Sequence, residues 1–260
     1  MGALDDRVCV ITGASRGLGA AIATGYAAEG AHVVLAARTT ADLEAVADAC
    51  AQAGAASNTV VPTDITDESQ VQALVDRALE VHGRIDVFVA NAGTSYANLT
   101  DKRYRELASY DLDVVEQLFR VNSIGTWLTL RAALRAMTSG SVITIGSEAG
   151  RICYPGAGVY AVTKATVDAM TKIAANEHGP QGVRVNCLSP GGMVDTQLFG
   201  PNGMPEHLKA HGYLETDVIV PAAVWLASDA SDGVSGALVS AVAFNAGERP
   251  EPAAAAGSGH

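Results

Sequence analysis

Tyr160 and Lys164 bracket the stretch Tyr160-Ala161-Val162-Thr163-Lys164, which follows Ser147 by thirteen residues and Asn122 by thirty-eight. A tyrosine and a lysine at i and i+4 of a helix share one face, so the ammonium sits near the phenol and favours its ionised form. A phenol tuned in this way is expected to act as an acid near neutral pH. Carbonyl reduction needs such a proton donor for the developing alkoxide, a hydride donor, and a group that holds the oxygen in line. Taken singly, each residue also has a plain structural reading: an incidental helical pair, a loop or helix N-terminal hydroxyl at Ser147, a buried amide satisfied by backbone at Asn122. Their position downstream of a glycine-rich turn is what points to hydride transfer.

That turn is Thr12 to Gly19, TGASRGLG, directly after an apolar run and at the start of an Ala-rich segment. Gly13, Ser15, Gly17 and Gly19 are small enough to let the backbone approach a pyrophosphate, and the helix that opens at Leu18 offers unpaired N–H groups and a positive dipole end. The spacing is Gly-x3-Gly-x-Gly, not the Gly-x-Gly-x2-Gly of most dinucleotide folds. NAD sites place a carboxylate at the end of the second strand to accept the ribose 2′-OH, whereas a 2′-phosphate calls for a cation. Here Ala37 fills that position, followed by Arg38, and Arg16 lies inside the glycine motif. Guanidinium groups bind phosphate bidentately, so the expected cofactor is NADP(H).

The elements that must hold these residues alternate along the chain. Val8–Thr12, His32–Ala37, Thr59–Thr63, Ile85–Ala90, Ser141–Gly146, Val183–Leu188 and Leu238–Phe244 read as seven strands. Between them, Leu18–Glu29, Thr40–Ala53, Glu68–Val81, Val114–Met137, Ala157–Asn176 and Asp217–Ser228 read as helices, with Gly30, Gly54 and Gly83 at helix exits. Continuous apolar strands such as Val33-Val34-Leu35-Ala36 suit a parallel sheet covered on both faces. The predicted fold class is therefore α/β: a single-domain, doubly wound parallel sheet over residues 1–247. Two irregular stretches, Thr94–Tyr110 and Gly191–Glu215, fall where loops emerge at the C-terminal edge of the sheet, which makes them the expected pocket walls. A mobile tail is expected over 248–260.

Across residues 7–230 these motifs, in this order, resemble the short-chain dehydrogenase/reductase family, which implies a seven-stranded Rossmann-like sheet. The resemblance implies that Asp64 and Ile65 contact adenine, that Asn91-Ala92-Gly93 packs the cofactor ribose region, and that Leu18, Pro190 and Gly191 line the cofactor. It gives Tyr160 the role of general acid/base and has Ser147 hydrogen-bond the substrate oxygen. Lys164 then binds the nicotinamide ribose and lowers the tyrosine pKa, and Asn122, in the context Val121-Asn122-Ser123-Ile124-Gly125, steadies a water-linked proton path. Thr196 takes the place of the family's nicotinamide-contacting threonine, one residue further from Pro190-Gly191 than usual. Met193, Leu198 and Phe199, with Tyr154 as a polar handle, are expected to line a pocket for an apolar ketone or alcohol under a lid at 191–215. A 3-oxoacyl-thioester reductase is the rival enzyme, and a catalytically silent NADP-binding regulator the rival from another class.

Composition bounds the rest. A formal charge of −11 argues against a broad nucleic-acid footprint or attraction to anionic membranes. No apolar run reaches the roughly eighteen residues of a membrane span, and the expected address is the cytoplasm. Four cysteines at 9, 50, 153 and 187 suggest neither disulfides nor a zinc site, and Cys153 reads as pocket lining. Glu206, His207 and His211 put two imidazoles on one helical face without a third ligand, so no metal is expected. Arg131 and Arg135, one turn apart, read as a solvated pair or subunit contact. The chain ends its last strand with Ala243-Phe244-Asn245-Ala246-Gly247 rather than the family's acidic-glycine turn. A homotetramer, or failing that a homodimer, is the expected assembly.

Overall fold

The computed structural model describes residues 2–102, 106–200 and 202–251; most of the expected tail, part of the Thr94–Tyr110 stretch and one lid position lie outside them. Seven strands form one parallel sheet: β1 (Val8–Thr12), β2 (His32–Ala37), β3 (Ser57–Pro62), β4 (Val87–Ala90), β5 (Gly140–Ile145), β6 (Val183–Ser189) and β7 (Leu238–Ser240). Their order is β3-β2-β1-β4-β5-β6-β7, so the topology reverses between β1 and β4. Loops diverge at that switch point and leave a crevice at the C-terminal edge. The glycine turn after β1 and Asn91-Ala92-Gly93 after β4 face each other there.

Alternating strand residues supply two cores. Cys9 and Ile11 of β1 pack toward Ile22 and Tyr26 of α1 (Gly17–Ala28), while Val8 and Val10 face the opposite side. Between them on the sheet's flanks lie α2 (Thr40–Ala53), closed by Gly54 at φ 112°, and α3 (Glu68–His82), closed by Gly83 at φ 75°. Asp67 caps α3 by accepting from Ser69 N and Gln70 N at 2.9 and 3.2 Å, a satisfied N-terminus that fixes where the helix starts.

Three predicted elements come out differently. The expected helix Val114–Met137 is two helices, α4 (Leu112–Phe119) and α5 (Thr126–Ala136), separated by a π-helical stretch at Arg120–Gly125 that contains Asn122. A Cβ on Gly125 would lie 2.7 Å from Ile65 Cδ1, so this stretch packs directly on the loop after β3. After β5 come α6 (Glu148–Ile152) and α7 (Gly158–His178); after β6 come the short α8 (Glu206–Lys209) and α9 (Val220–Ala227). The helix expected over Asp217–Ser228 begins instead as a 3₁₀ turn at Thr216–Ile219. Strand β7 stops at Ser240, whose hydroxyl accepts from Ala243 N and starts α10 (Ala241–Asn245), so the strand expected to reach Phe244 becomes helix. His211 lies beyond the end of α8, and its Nδ1 bonds the His207 carbonyl at 2.8 Å, which removes the shared helical face expected for the two imidazoles. No described helix is long and apolar enough to cross a membrane.

Candidate active site

The glycine turn is built by close backbone contact. Gly13 and Gly17 have φ of 66° and 57°, where a side chain would be strained. A Cβ on Gly13 would stand 2.8 Å from Ala92 Cα, and one on Gly19 would run into the Gly13 carbonyl oxygen. Asn91 fastens the turn by donating through Nδ2 to the Thr12 and Gly13 carbonyls at 2.8 and 3.1 Å. The Thr12 hydroxyl in turn accepts from Asn91 N at 3.1 Å and from Ala92 N at 3.3 Å. Thr12 was not singled out in sequence, yet it organises both halves of the switch point. Helix α1 begins with no side-chain cap and no acidic residue in its first turn, which leaves its first N–H groups and dipole end for an anion.

Arg16 and Arg38 flank this turn. Arg38 is exposed just past β2 and forms no ion pair among the described residues. Arg16 donates to Gln197 Oε1 of the stretch expected as a lid, and Thr196 Cγ2 would be 3.4 Å from a Cβ on Gly17. Thr196 thus sits over the start of α1, while its hydroxyl accepts from Leu198 N at 3.2 Å. Asp64 holds the loop after β3, accepting from Thr66 N and Oγ1 at 2.9 and 2.8 Å, and Ile65 beside it is buried. Pro190 leads into Gly191, at φ 88°, where a Cβ would meet Ser240 Oγ.

Ser147, Tyr160 and Lys164 converge on the same edge. Ser147 caps α6, accepting from Ala149 N at 3.2 Å. Burial pushes the Tyr160 phenol up to about 12, with a hydrogen bond to Ser147 pulling it partly back and the nearby Tyr154 phenol opposing ionisation. Lys164 is buried, donates to the Ile145 carbonyl at 2.7 Å, and lies 5.8 Å from the Tyr160 ring centroid. Its own burial lowers its ammonium to about 8, against the pull of Cys187 and Asp168. The expected downward pull of Lys164 on Tyr160 is not among the causes of this shift: desolvation dominates, and Ser147 supplies the only lowering contribution.

Asn122 grips the loop after β4 at two points, accepting from Thr94 N at 2.8 Å and donating to Thr94 O at 2.9 Å. It also donates to Thr163 Oγ1 at 3.1 Å, joining that loop to α7. Gly93 lies between the groups: a Cβ there would be 3.3 Å from Asn122 Oδ1 and 3.7 Å from Lys164 Nζ. The two pocket walls meet where Ser95 Oγ donates to the Leu198 carbonyl, joined by Asn98 Nδ2 at 3.4 Å. Leu198 and Phe199 are half-buried beneath this clasp, whereas Met193 and Tyr154 are exposed. Sequence spacing carried no signal for the clasp, because it joins residues about a hundred positions apart. Cys153, expected as lining, is an exposed left-handed cap at the end of α6 with φ 53°. Arg131 pairs with Glu68 and stacks 4.4 Å from the Trp127 ring centroid, so it is not simply solvated.

With this arrangement in view, comparison with known proteins places the chain. The profile of the short chain dehydrogenase family matches residues 7–206, and the chain belongs to that family. It is 37% identical over 214 residues to a glycine betaine reductase of Emericella nidulans, covering 81% of this chain and 16% of that much longer protein. An uncharacterised oxidoreductase of Methylorubrum extorquens is 34% identical over 255 residues, covering 93% of this chain and 98% of the relative. A carveol dehydrogenase from Mycobacterium avium, solved in complex with NAD, superposes with a TM-score of 0.82 at 26% identity over 92% of this chain and 97% of that one. The chain is an oxidoreductase of this fold, and the family uses a nicotinamide cofactor.

Proposed function

We propose that the chain interconverts a ketone or aldehyde and an alcohol with NADP(H), using Tyr160 as general acid/base. The observation that carries this reading is the convergence of the Tyr160 phenol, the Ser147 hydroxyl and the Lys164 ammonium beside the uncapped start of α1. The cradle suits a dinucleotide: Gly13 and Gly19 leave no room for a Cβ, and the Arg16 and Arg38 guanidinium groups would suit a 2′-phosphate. Gly17, Leu18, Asn91, Ala92, Gly93 and Thr196 would complete that site, with Lys164 toward the ribose. The cofactor supplies or accepts the hydride.

The protein's own groups handle the proton. A phenol raised to about 12 is the acid form at neutral pH, ready to donate to the oxygen of a carbonyl being reduced. Ser147 bonds the same oxygen and holds it in line, and the Lys164 charge stabilises the tyrosinate left behind. The half-buried Leu198 and Phe199 suit an apolar ketone or alcohol. A homotetramer is the proposed assembly.

The test is an NADPH-oxidation screen at 340 nm over aliphatic, cyclic and aryl ketones and an acetoacetyl-thioester, repeated with alcohols and NADP⁺. Tyr160→Phe should lower kcat by about 10²–10⁴-fold while retaining NADPH binding. Turnover near that of the parent overturns the mechanism; tight NADPH binding without turnover of any carbonyl favours the regulator, and preference for the thioester favours the acyl reductase.

A further inference from the structure

Next to Ser147, Tyr160 and Lys164, one partly buried ionic node joins three elements. Tyr160, Lys164 and Asp168 follow one another at four-residue intervals on α7 and share a face. The buried Asp168 divides its carboxylate between two other elements: Oδ2 accepts from Arg151 Nε of α6 at 3.1 Å, and Oδ1 accepts from the Cys187 thiol of β6 at 3.1 Å. Arg151 Nη1 donates to Glu148 Oε1 and to Ser189 Oγ, each at 3.0 Å. Ser189 closes the ring by donating to Glu148 Oε1 at 2.6 Å.

Every tie lies next to a site residue. Glu148 follows Ser147, Ser189 precedes Pro190, and Asp168 lies one turn beyond Lys164. Two glycines set the spacing. A Cβ on Gly146, immediately before Ser147, would be 2.5 Å from Cys187 Sγ and 3.0 Å from Asp168 Oδ1. One on Gly150 would be 2.7 Å from Ala165 N and 2.8 Å from the Lys164 carbonyl carbon. Helix α6 has five residues, too few to hold its own direction, so what it is tied to decides where Ser147 points. The Arg151 hydrogen bonds go to Glu148, Asp168, Cys187 and Ser189, that is, to the supports of the site and not to its reacting groups.

We propose that Arg151 is a positioning residue: through Asp168 and Ser189 it fixes α6, and with it the Ser147 hydroxyl, at the distance from Tyr160 that proton transfer requires. This rests on the oxidoreductase reading above. Arg151 acts through other side chains, and among the described residues none of its side-chain hydrogen bonds reaches β1, α1 or β4.

The test compares Arg151→Met and Arg151→Lys in the full chain, each verified as folded by thermal unfolding. Arg151→Met should lower kcat on the best ketone of the screen by about 10–100-fold, the effect of a misplacement of order 1 Å. The NADPH dissociation constant, read by fluorescence, should not change, and Arg151→Lys should recover most of kcat. A second readout needs no substrate: the ¹³Cζ resonance of Tyr160, assigned with Tyr160→Phe, should move in Arg151→Met and stay in place in Arg151→Lys. Where the two readouts disagree, the resonance decides. An unmoved resonance in folded Arg151→Met overturns the proposal, as does a loss of kcat that only tracks loss of folded protein. If Arg151→Met does not fold, Ser189→Ala removes the hydroxyl's bonds with Arg151, Glu148 and Val239 O and keeps the Arg151–Asp168 ion pair; it should move the same resonance and lower kcat by about fivefold, and an unmoved resonance there overturns the proposal equally. If wild-type protein reduces no carbonyl, the oxidoreductase reading fails by itself while the resonance still decides the positioning.

Discussion

The two edges of the sheet carry clefts of opposite character. The cleft at the N-terminal edge is the larger, ≈ 590 Å³, and is rich in charge from Arg7, Asp86, Arg184, Asp229 and Asp232. That charge is committed: Arg7 pairs with Asp229, Asp86 takes Val8 N and Arg84, and Arg184 pairs with Asp232 and donates to the Leu226 and Ser228 carbonyls. The cleft at the C-terminal edge, ≈ 430 Å³, is lined by Arg16, Gly17, Asp195, Thr196 and Gln197, with the Asp195 carboxylate paired to Lys209 at 2.9 Å. Among the described residues, Arg16 bonds only a neutral amide there, Arg38 past β2 has no ion pair, and the N–H groups of α1 have no side-chain cap. Volume does not distinguish a ligand site from a structural groove. Charge and backbone polarity left without a protein partner do.

Three substitutions can break or sharpen that contrast. Gly19→Ala has the largest expected effect, since its Cβ meets the Gly13 carbonyl and displaces the turn; NADPH affinity by fluorescence titration should fall about 100-fold. Wild-type affinity in that variant would show that the close backbone approach serves something other than the cofactor. Arg38→Asp comes next. Loss of charge-assisted phosphate bonds should shift the NADP/NAD ratio of kcat/KM toward NAD by about 10–100-fold, and an unchanged ratio would sink the assignment of Arg38 to the 2′-phosphate. Smallest is Asp229→Ala at the opposite edge. Its carboxylate is exposed, so stability should change by less than about 1 kcal/mol in urea titration, and NADPH affinity should not move. A clear drop in NADPH affinity there would mean that the N-terminal cleft is coupled to the cofactor after all.

Much of this was legible in sequence because it is local. Strands β1 and β2 and helix α2 lie where apolar runs and glycine exits put them, since their patterns repeat within one element. Tyr160 and Lys164 were legible from their spacing, as Asp168, one further turn along, could have been. The elements that came out differently depend on contacts between distant parts of the chain. Ile65 packs where Gly125 has no side chain, inside the stretch that interrupts the helix read over Val114–Met137, and Ser240 ends a strand whose apolar pattern continues. The phenol's environment was also illegible, since spacing reports the nearby lysine but not the desolvation that raises the phenol.

The π-helical stretch at Arg120–Gly125 acts as a phase adjuster between two amphipathic faces. Upstream, Val114 and Leu118 must meet Val159 at the beginning of α7; downstream, Leu128, Leu130, Ala132 and Ala133 must meet the sheet. Deleting a single residue from the stretch would turn one face against the other by about 100°. Helical content would hardly change, yet the loop held by Asn122 and the floor under Tyr160 could no longer be in register together.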